Sequence, residues 1–266
     1  MKLETLFENY SSLSPIIEKN LSEEAKNADK GFMYIFVINW FAVSFITSLT
    51  YDTYLLGIVG GGLISGLAFV IYKFFAGTSI SRIAIGMLIM GFPMIMIQQH
   101  LGRIEMHFHI FVVLAFMSLY KDVMPVIASA LTIAVHHLLF TYLQLSDISF
   151  AGVKIIIFNY ACSWEIAFLH SAFVIVETAV LIYIIYMIIS QDLHSMEIVE
   201  NVNKITENHD FTIELKKQTI QEKALYAFIS SLRNVLNTAK TSALQTSKIT
   251  EKVHVVMSSL SQGSSK

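Results

Sequence analysis

Six of the nine histidines lie inside or beside long apolar runs. His100 closes "MIMIQQH", His107 and His109 open "MHFHIFVVLAF", His136 and His137 interrupt "IAVHHLLF", and His170 stands in "IAFLHSAF". Neutral imidazole ligates first-row metals and haem iron. Ionisable groups inside a membrane are costly enough to be kept for a protein interior. No thiolate accompanies these residues, so the set suits haem b, copper or zinc. Met106 adds a thioether that would favour copper, and Phe108, Phe111, Phe116, Phe168 and Phe173 could line a flat macrocycle. Glu105 and Glu177 are candidate outer acceptors that fix a histidine tautomer. Glu177 follows His170 by two helical turns on the same face. His107 and His109 point to nearly opposite sides of a helix, and His136 and His137 lie about 100° apart, so spacing alone leaves open which of each pair faces inward. The expected metal set is His107, His136 and His170, one per helix, with His137, His109 and His100 completing the cofactor-binding group.

These side chains need helices in lipid to carry them. The chain has 266 residues, 55% of them hydrophobic and 14% charged, with a mean hydropathy of +0.61. A soluble domain carries more charge than this. The net charge of −2 provides no basic stripe for nucleic acid. Cys162 is the only cysteine, which excludes an internal disulfide and any paired-cysteine zinc motif. Six spans are expected, near residues 31–50, 54–75, 80–100, 106–120, 123–143 and 164–190. Lys19, Lys26, Lys30, Lys73, Arg82 and Lys121 fall on one side of these spans, which puts both termini in the cytoplasm. In that orientation His136 lies roughly 20 Å along its helix from the cytoplasmic face, and His170 about 9 Å from the outer one. The six histidines thus share the outer third of the bundle, while His194, His209 and His254 belong to the cytoplasmic part. Pro93 predicts a kink in the third span, and Gly60, Gly61, Gly62 and Gly66 allow close helix contact, with Gly62 and Gly66 in small-xxx-small spacing. The outer segment 144–162 contains "VKIIIFNY", which reads equally as a strand or a re-entrant stretch. Histidine spacings of HxH and HH do not supply the close-set boxes of a membrane di-iron hydroxylase, and no catalytic residue is assigned, so an enzyme is not expected.

After the last span, "SQDLHSMEIVENVNKITENHDFTIEL" gives a polar helix and a short extended stretch. A second helix begins near Gln221, with apolar or small residues in heptad register from Leu225 through Phe228, Leu232, Val235, Ala239, Ser242, Thr246, Ile249, Val253 and Val256 to Leu260. Five heptads of this kind predict a coiled coil with a soft middle.

Helix, extended connector and helix directly after a membrane span resemble a HAMP signal-relay module. "NHDFTI" resembles its connector, with Phe211 and Ile213 as the inward apolar pair, and Glu222 and Asn234 stand where that family has a glutamate opening the second helix and an asparagine within it. The first helix lacks the family's proline, and Lys223-Ala224 replaces a small or glycine residue, so the module is HAMP-like. The membrane part, over about residues 80 to 190, resembles the polytopic sensory region of some bacterial methyl-accepting chemotaxis proteins. The expected fold is therefore an all-α membrane protein, a six-transmembrane-helix bundle continuing into a cytoplasmic HAMP-like coiled coil. Its expected divisions are a cytoplasmic arm (1–30), the sensory bundle (31–190), the relay (191–240) and the start of a signalling coil (241–266). The resemblance implies a homodimeric receptor in the bacterial inner membrane, in contact with lipid and with higher-order arrays open to it. It would meet a chemotaxis adaptor and kinase only where a signalling hairpin follows "SSLSQGSSK". The function expected is a chemoreceptor sensor module. A small-solute or ion carrier with a histidine relay, and a quinone or membrane-energy sensor without bound metal, are the alternatives.

Overall fold

The computed structural model describes residues 15–150, 152–208 and 219–263. It divides into two compact units, one ending at Leu193 and the other beginning at His194. In the first unit, helix α1 (Pro15–Phe41) continues through a π turn (Ala42–Ile46) and a 3-10 turn (Thr47–Thr50). A second π turn (Leu56–Gly60) leads into α2 (Gly61–Phe75), followed by α3 (Ser79–Ile89), α4 (Gly91–Gln99) and α5 (Ile104–Phe116) with a 3-10 turn (Met117–Tyr120). Helix α6 (Val123–Leu145), a small antiparallel hairpin of β1 (Ser149–Phe150) and β2 (Val153–Lys154), and α7 (Trp164–Asn208) complete the series before α8 (Ile220–Gly263). Five helical stretches are long and apolar enough to cross a membrane: Ile17–Thr50, Leu56–Phe75, Ser79–Gln99, Val123–Leu145 and the apolar part of Trp164–Glu207. Ile104–Tyr120 is apolar but shorter. This is a helical membrane protein.

Large apolar side chains such as Leu55, Leu63, Phe69, Phe74, Phe173 and Ile175 point outward, as lipid demands. Ser79–Gln99 runs through the middle, 61% buried, against 11% for Leu56–Phe75 at the rim. The core packs Phe32 and Phe36 of α1 on Ile85, Ile89 and Phe92, and these on Val113, Leu114, Val126 and Ile185. The expected kink appears as a break between α3 and α4. Helix α3 ends at Ile89, whose carbonyl would accept the N–H that Pro93 lacks.

The polar arm is described from Pro15, where it is helical, with Ile17, Leu21 and Ala25 recurring every four residues and burying one face. Of the four glycines expected at close contacts, Gly60, Gly61 and Gly62 are close to Ile95 or Trp40, a Cβ there lying at 3.1, 2.8 and 3.3 Å, while Gly66 meets no atom within 4 Å; Gly57 is tighter still. A Cβ on Gly57 would lie 2.0 Å from the Val43 carbonyl oxygen, and one on Gly61 would lie 2.8 Å from the Trp40 indole. That indole donates to the Ile58 carbonyl in the π turn at 3.1 Å.

One end of the bundle is fixed by buried charge. Asp29 accepts from the Tyr120 hydroxyl and from the Gly77 amide, each at 2.7 Å, and Tyr120 stacks on Phe32. Arg82 donates to Asp122 at 2.9 Å, both nearly fully buried, while the other Asp122 oxygen caps α6 at Met124. Lys121 donates to Glu24 at 2.9 Å and also to Asp192 of α7. Burial alone would push its ammonium down, but the Asp192 and Glu24 carboxylates outweigh burial and hold it above its ordinary value.

In the second unit, α8 is one 44-residue helix. Glu222 and Ile229 are buried, whereas Asn234 and the later heptad positions Val235, Ile249, Val253, Val256 and Leu260 are exposed. Phe211 and Ile213 lie outside the described residues.

Packing at Gly57 yields the first prediction. Gly57→Ala drives a methyl into backbone and is expected to destabilise the bundle by about 3 kcal/mol or more, whereas Gly66→Ala is neutral. Thermal unfolding of both variants in detergent checks this.

Candidate functional site

At the opposite end of the first unit, three helices each turn one imidazole inward by the same local device. The Nδ1 of His107 lies 3.1 Å from the Arg103 carbonyl, that of His137 3.0 Å from Ile133, and that of His170 2.9 Å from Ile166. Each partner is the carbonyl four residues back in the chain. A carbonyl only accepts, so each Nδ1 carries a proton, and the neutral form of each ring presents its lone pair at Nε2. The His107 ring centroid is 5.3 Å from that of His137 and 5.4 Å from that of His170, and the last two are 6.3 Å apart. His107 Nε2 is buried with no hydrogen bond among the described residues.

A strap from the loop between α6 and α7 closes this cluster. Ile157 and Phe158 are fully buried. Phe158 stacks on His107 with 11° between the planes and sits 4.9 Å from His170. Gln144 holds the strap by accepting from the amides of Ile157 at 2.7 Å and Phe158 at 3.1 Å and donating to the Phe158 carbonyl at 2.8 Å. Gln98 accepts from Ile156 at 3.2 Å and donates to Lys154 at 2.9 Å. The strap crosses directly over Gly102, where φ is +75° and a Cβ would meet Ile157 backbone at 2.7 Å, so only glycine fits. The "VKIIIFNY" segment is thus part hairpin and part re-entrant cover.

The remaining histidines are distributed differently. In the His136–His137 pair it is His137 that joins His107 and His170. His136 stacks on Phe140 at 4.1 Å and reaches only His137, Nδ1 to Nδ1, at 3.5 Å. The turn of about 100° between successive residues separates them. His109 faces α1, where its Nε2 meets Asn39 Oδ1 at 2.8 Å. His100 is buried beside Tyr51, at a ring distance of 6.0 Å, away from the cluster. Glu105 is exposed and pairs with Arg103 at 3.3 Å, so it is no outer acceptor for these rings. Glu177 is half-buried on α7, and its Oε2 is buried without a hydrogen-bond partner among the described residues. Phe158, Gln144 and Gln98 are absent from the sequence reading. The signal for them is a glutamine at each helix end, whose amide can mimic a neighbouring strand.

Among the imidazoles lies a cavity of about 20 Å³, bordered also by Ile110, Ile133 and Val174. One water needs about 10–15 Å³, so the space suits a water or a single ion. A haem does not fit, because cofactor pockets run to hundreds of Å³ and Phe158 fills the flat slot beside His107. The imidazole nitrogens do not come within 4.8 Å of one another as a group of three, so coordination of one ion requires the rings to close inward. A larger cavity of about 540 Å³ lies at the other end, bordered by Glu18, Glu24, Arg82, Tyr120, Lys121 and Ile189.

No family model matches the chain, and neither a search of curated proteins nor one of solved structures finds a match.

The strap leads to the second prediction. Gln144→Leu removes three hydrogen bonds and is expected to cost about 3 kcal/mol and to expose the cluster. Diethylpyrocarbonate should then modify His107 and His137 faster than in the wild type, and equal rates would show that Gln144 does not hold the cover.

Proposed function

We propose that this protein is a transmembrane sensor module with six spans, counting Ile104–Tyr120, and both termini in the cytoplasm. Its sensory site is the strapped cluster of His107, His137 and His170, and the ligand is one copper or zinc ion. The observation that carries this reading is the position of His170, which lies on the same unbroken helix (Trp164–Asn208) that runs past Leu193 into the second unit. Three lone-pair nitrogens from three helices in an apolar cage accept a cation and offer no donor to an anion. Their other nitrogens are tied to backbone carbonyls, the usual arrangement for holding a ligating imidazole. Drawing the Nε2 atoms onto an ion moves α7 against α5 and α6, which gives the ligand the differential affinity for two packings that signalling requires. The exposed heptad stripe of α8 receives its counterpart from a second copy, forming the HAMP-like relay and coil of a chemoreceptor. A carrier is disfavoured because Ile85, Ile89, Val113, Leu114 and Val126 fill the middle of the bundle.

The third prediction is a stoichiometric one. Detergent-purified protein dialysed with copper or zinc is expected to show no Soret band and to retain a metal equivalent that His137→Ala and His170→Ala lose and His109→Ala keeps. Elemental analysis decides it, and equal metal content in all four proteins overturns the reading.

The 540 Å³ cavity favours a second reading, a quinone or membrane-energy sensor, since it is of small-molecule size and meets α7 at Ile189. The fourth prediction follows: a short-chain quinone should raise the melting temperature of the wild type but not of Leu119→Trp, which fills that cavity. No rise at saturating quinone removes this reading.

A further inference from the structure

The second unit, taken by itself, gathers three donor groups, two from the part of α7 just after Leu193 and one from the start of α8. His194 and Glu197 are three residues apart on α7 and share a face, and Glu222 lies in the first turn of α8. One ligand atom from each lies within 4.8 Å of the other two, and no other trio among the described residues meets that condition. Glu222 is only 3% exposed. Its Oε2 accepts from the Thr219 amide at 2.9 Å, and the Thr219 hydroxyl accepts from the Glu222 amide at 3.1 Å, a reciprocal capping box. The cap fixes the carboxylate, and its other oxygen, Oε1, stands 3.9 Å from His194 Nδ1. That separation is too long for a hydrogen bond. It is close to the ~3.4 Å between two ligands that each sit about 2.1 Å from a tetrahedral zinc.

We propose that His194, Glu197 and Glu222 form a binding site for a first-row divalent cation, clipping α7 at His194 and Glu197 to the start of α8. One imidazole and two carboxylates suit zinc, with its fourth position left to water. The partly exposed His194 ring gives the ion a way in, and the capping box serves as the outer support that keeps the Glu222 carboxylate aimed. A cation bound here stabilises the paired arrangement of the two helices by mass action, so its concentration sets how readily that pair rearranges. The site stands independently of the membrane histidines.

The test uses the full chain in detergent, titrated with Zn²⁺ against a chromophoric chelator. Three variants are compared with the wild type: His194→Ala, Glu197→Gln and Glu222→Gln. Glutamine serves a capping box as glutamate does, so Glu222→Gln removes the anionic ligand while keeping the helix cap. Each variant is expected to weaken one zinc equivalent by at least about tenfold, and His137→Ala, which alters only the membrane cluster, is expected to retain it. Zinc should also slow amide hydrogen exchange in the first turns of α8 in the wild type and not in His194→Ala. Wild-type zinc binding unchanged in the three variants, or no zinc-dependent protection of α8, overturns the proposal.

Discussion

A bilayer offers no water to a polar group, so every donor and acceptor carried into it must find its partner inside the protein. The structure of the first unit follows from that constraint. Each inward histidine spends one nitrogen on its own helix, at the carbonyl four residues back, which fixes both ring direction and tautomer. Gln99, fully buried, accepts from the Thr47 hydroxyl and donates to the Val43 carbonyl in the π turn that follows α1. Asn39 donates to Ile35 and so turns its oxygen toward His109. The irregular turns in α1 and before α2 are thereby tolerated.

The same requirement sorts the two ends of the bundle by chemistry. At the end away from the histidines, Arg82 is buried against Asp122, and Asp29 against the Tyr120 hydroxyl and the Gly77 amide, and removing a partner would strand a charge in an apolar setting. That end is therefore rigid and specific. At the histidine end the inward rings are instead tied through Nδ1 to carbonyls of their own helices, and the Nε2 of His107 has no hydrogen bond among the described residues. The cover is likewise held by hydrogen bonds from Gln98 and Gln144 rather than by charge, a kind of attachment that opens at modest cost.

Much of this was legible in the sequence, and the reasons for the rest are physical. Apolar run length gave the membrane class, and Pro93 gave the α3–α4 break, because lipid and a missing N–H act locally. Three of the six histidines meet in one cluster, but rotation could not be read from the sequence: His136 and His137 differ by about 100° around the helix, which only the packing of α6 beside His107 and His170 resolves. The glycine cluster Gly60, Gly61 and Gly62 does lie against Ile95 and Trp40, whereas the open space at Gly66 and the tighter fit of Gly57 on Val43 follow from the path of the neighbouring helix, which spacing does not carry. Phe158 was invisible for another reason. Its burial depends on Gln144, Gln98 and Gly102, residues distant in sequence whose partners are backbone atoms.

Helix α7 differs from the others in its continuity. Helices α1 and α2 are interrupted by π and 3-10 turns, and the central stretch is broken at Met90. Helix α7 contains neither proline nor glycine from Trp164 to Asn208 and stays helical throughout. Kinks arise at proline, glycine and π turns, so a displacement applied at His170 has no hinge along this helix in which to dissipate. Its attachments to the rest of the first unit are few and placed at known heights: His170 beside the strap, Val174, Leu181 and Ile185 against the core, and Asp192 on Lys121. The apolar contacts slide at little cost because they have no direction, whereas Lys121 with Asp192 and Glu24 forms a directional latch near the end of the unit. Helix α7 therefore meets the rest of the first unit through non-directional apolar contacts along its middle and through a directional ion pair near Leu193.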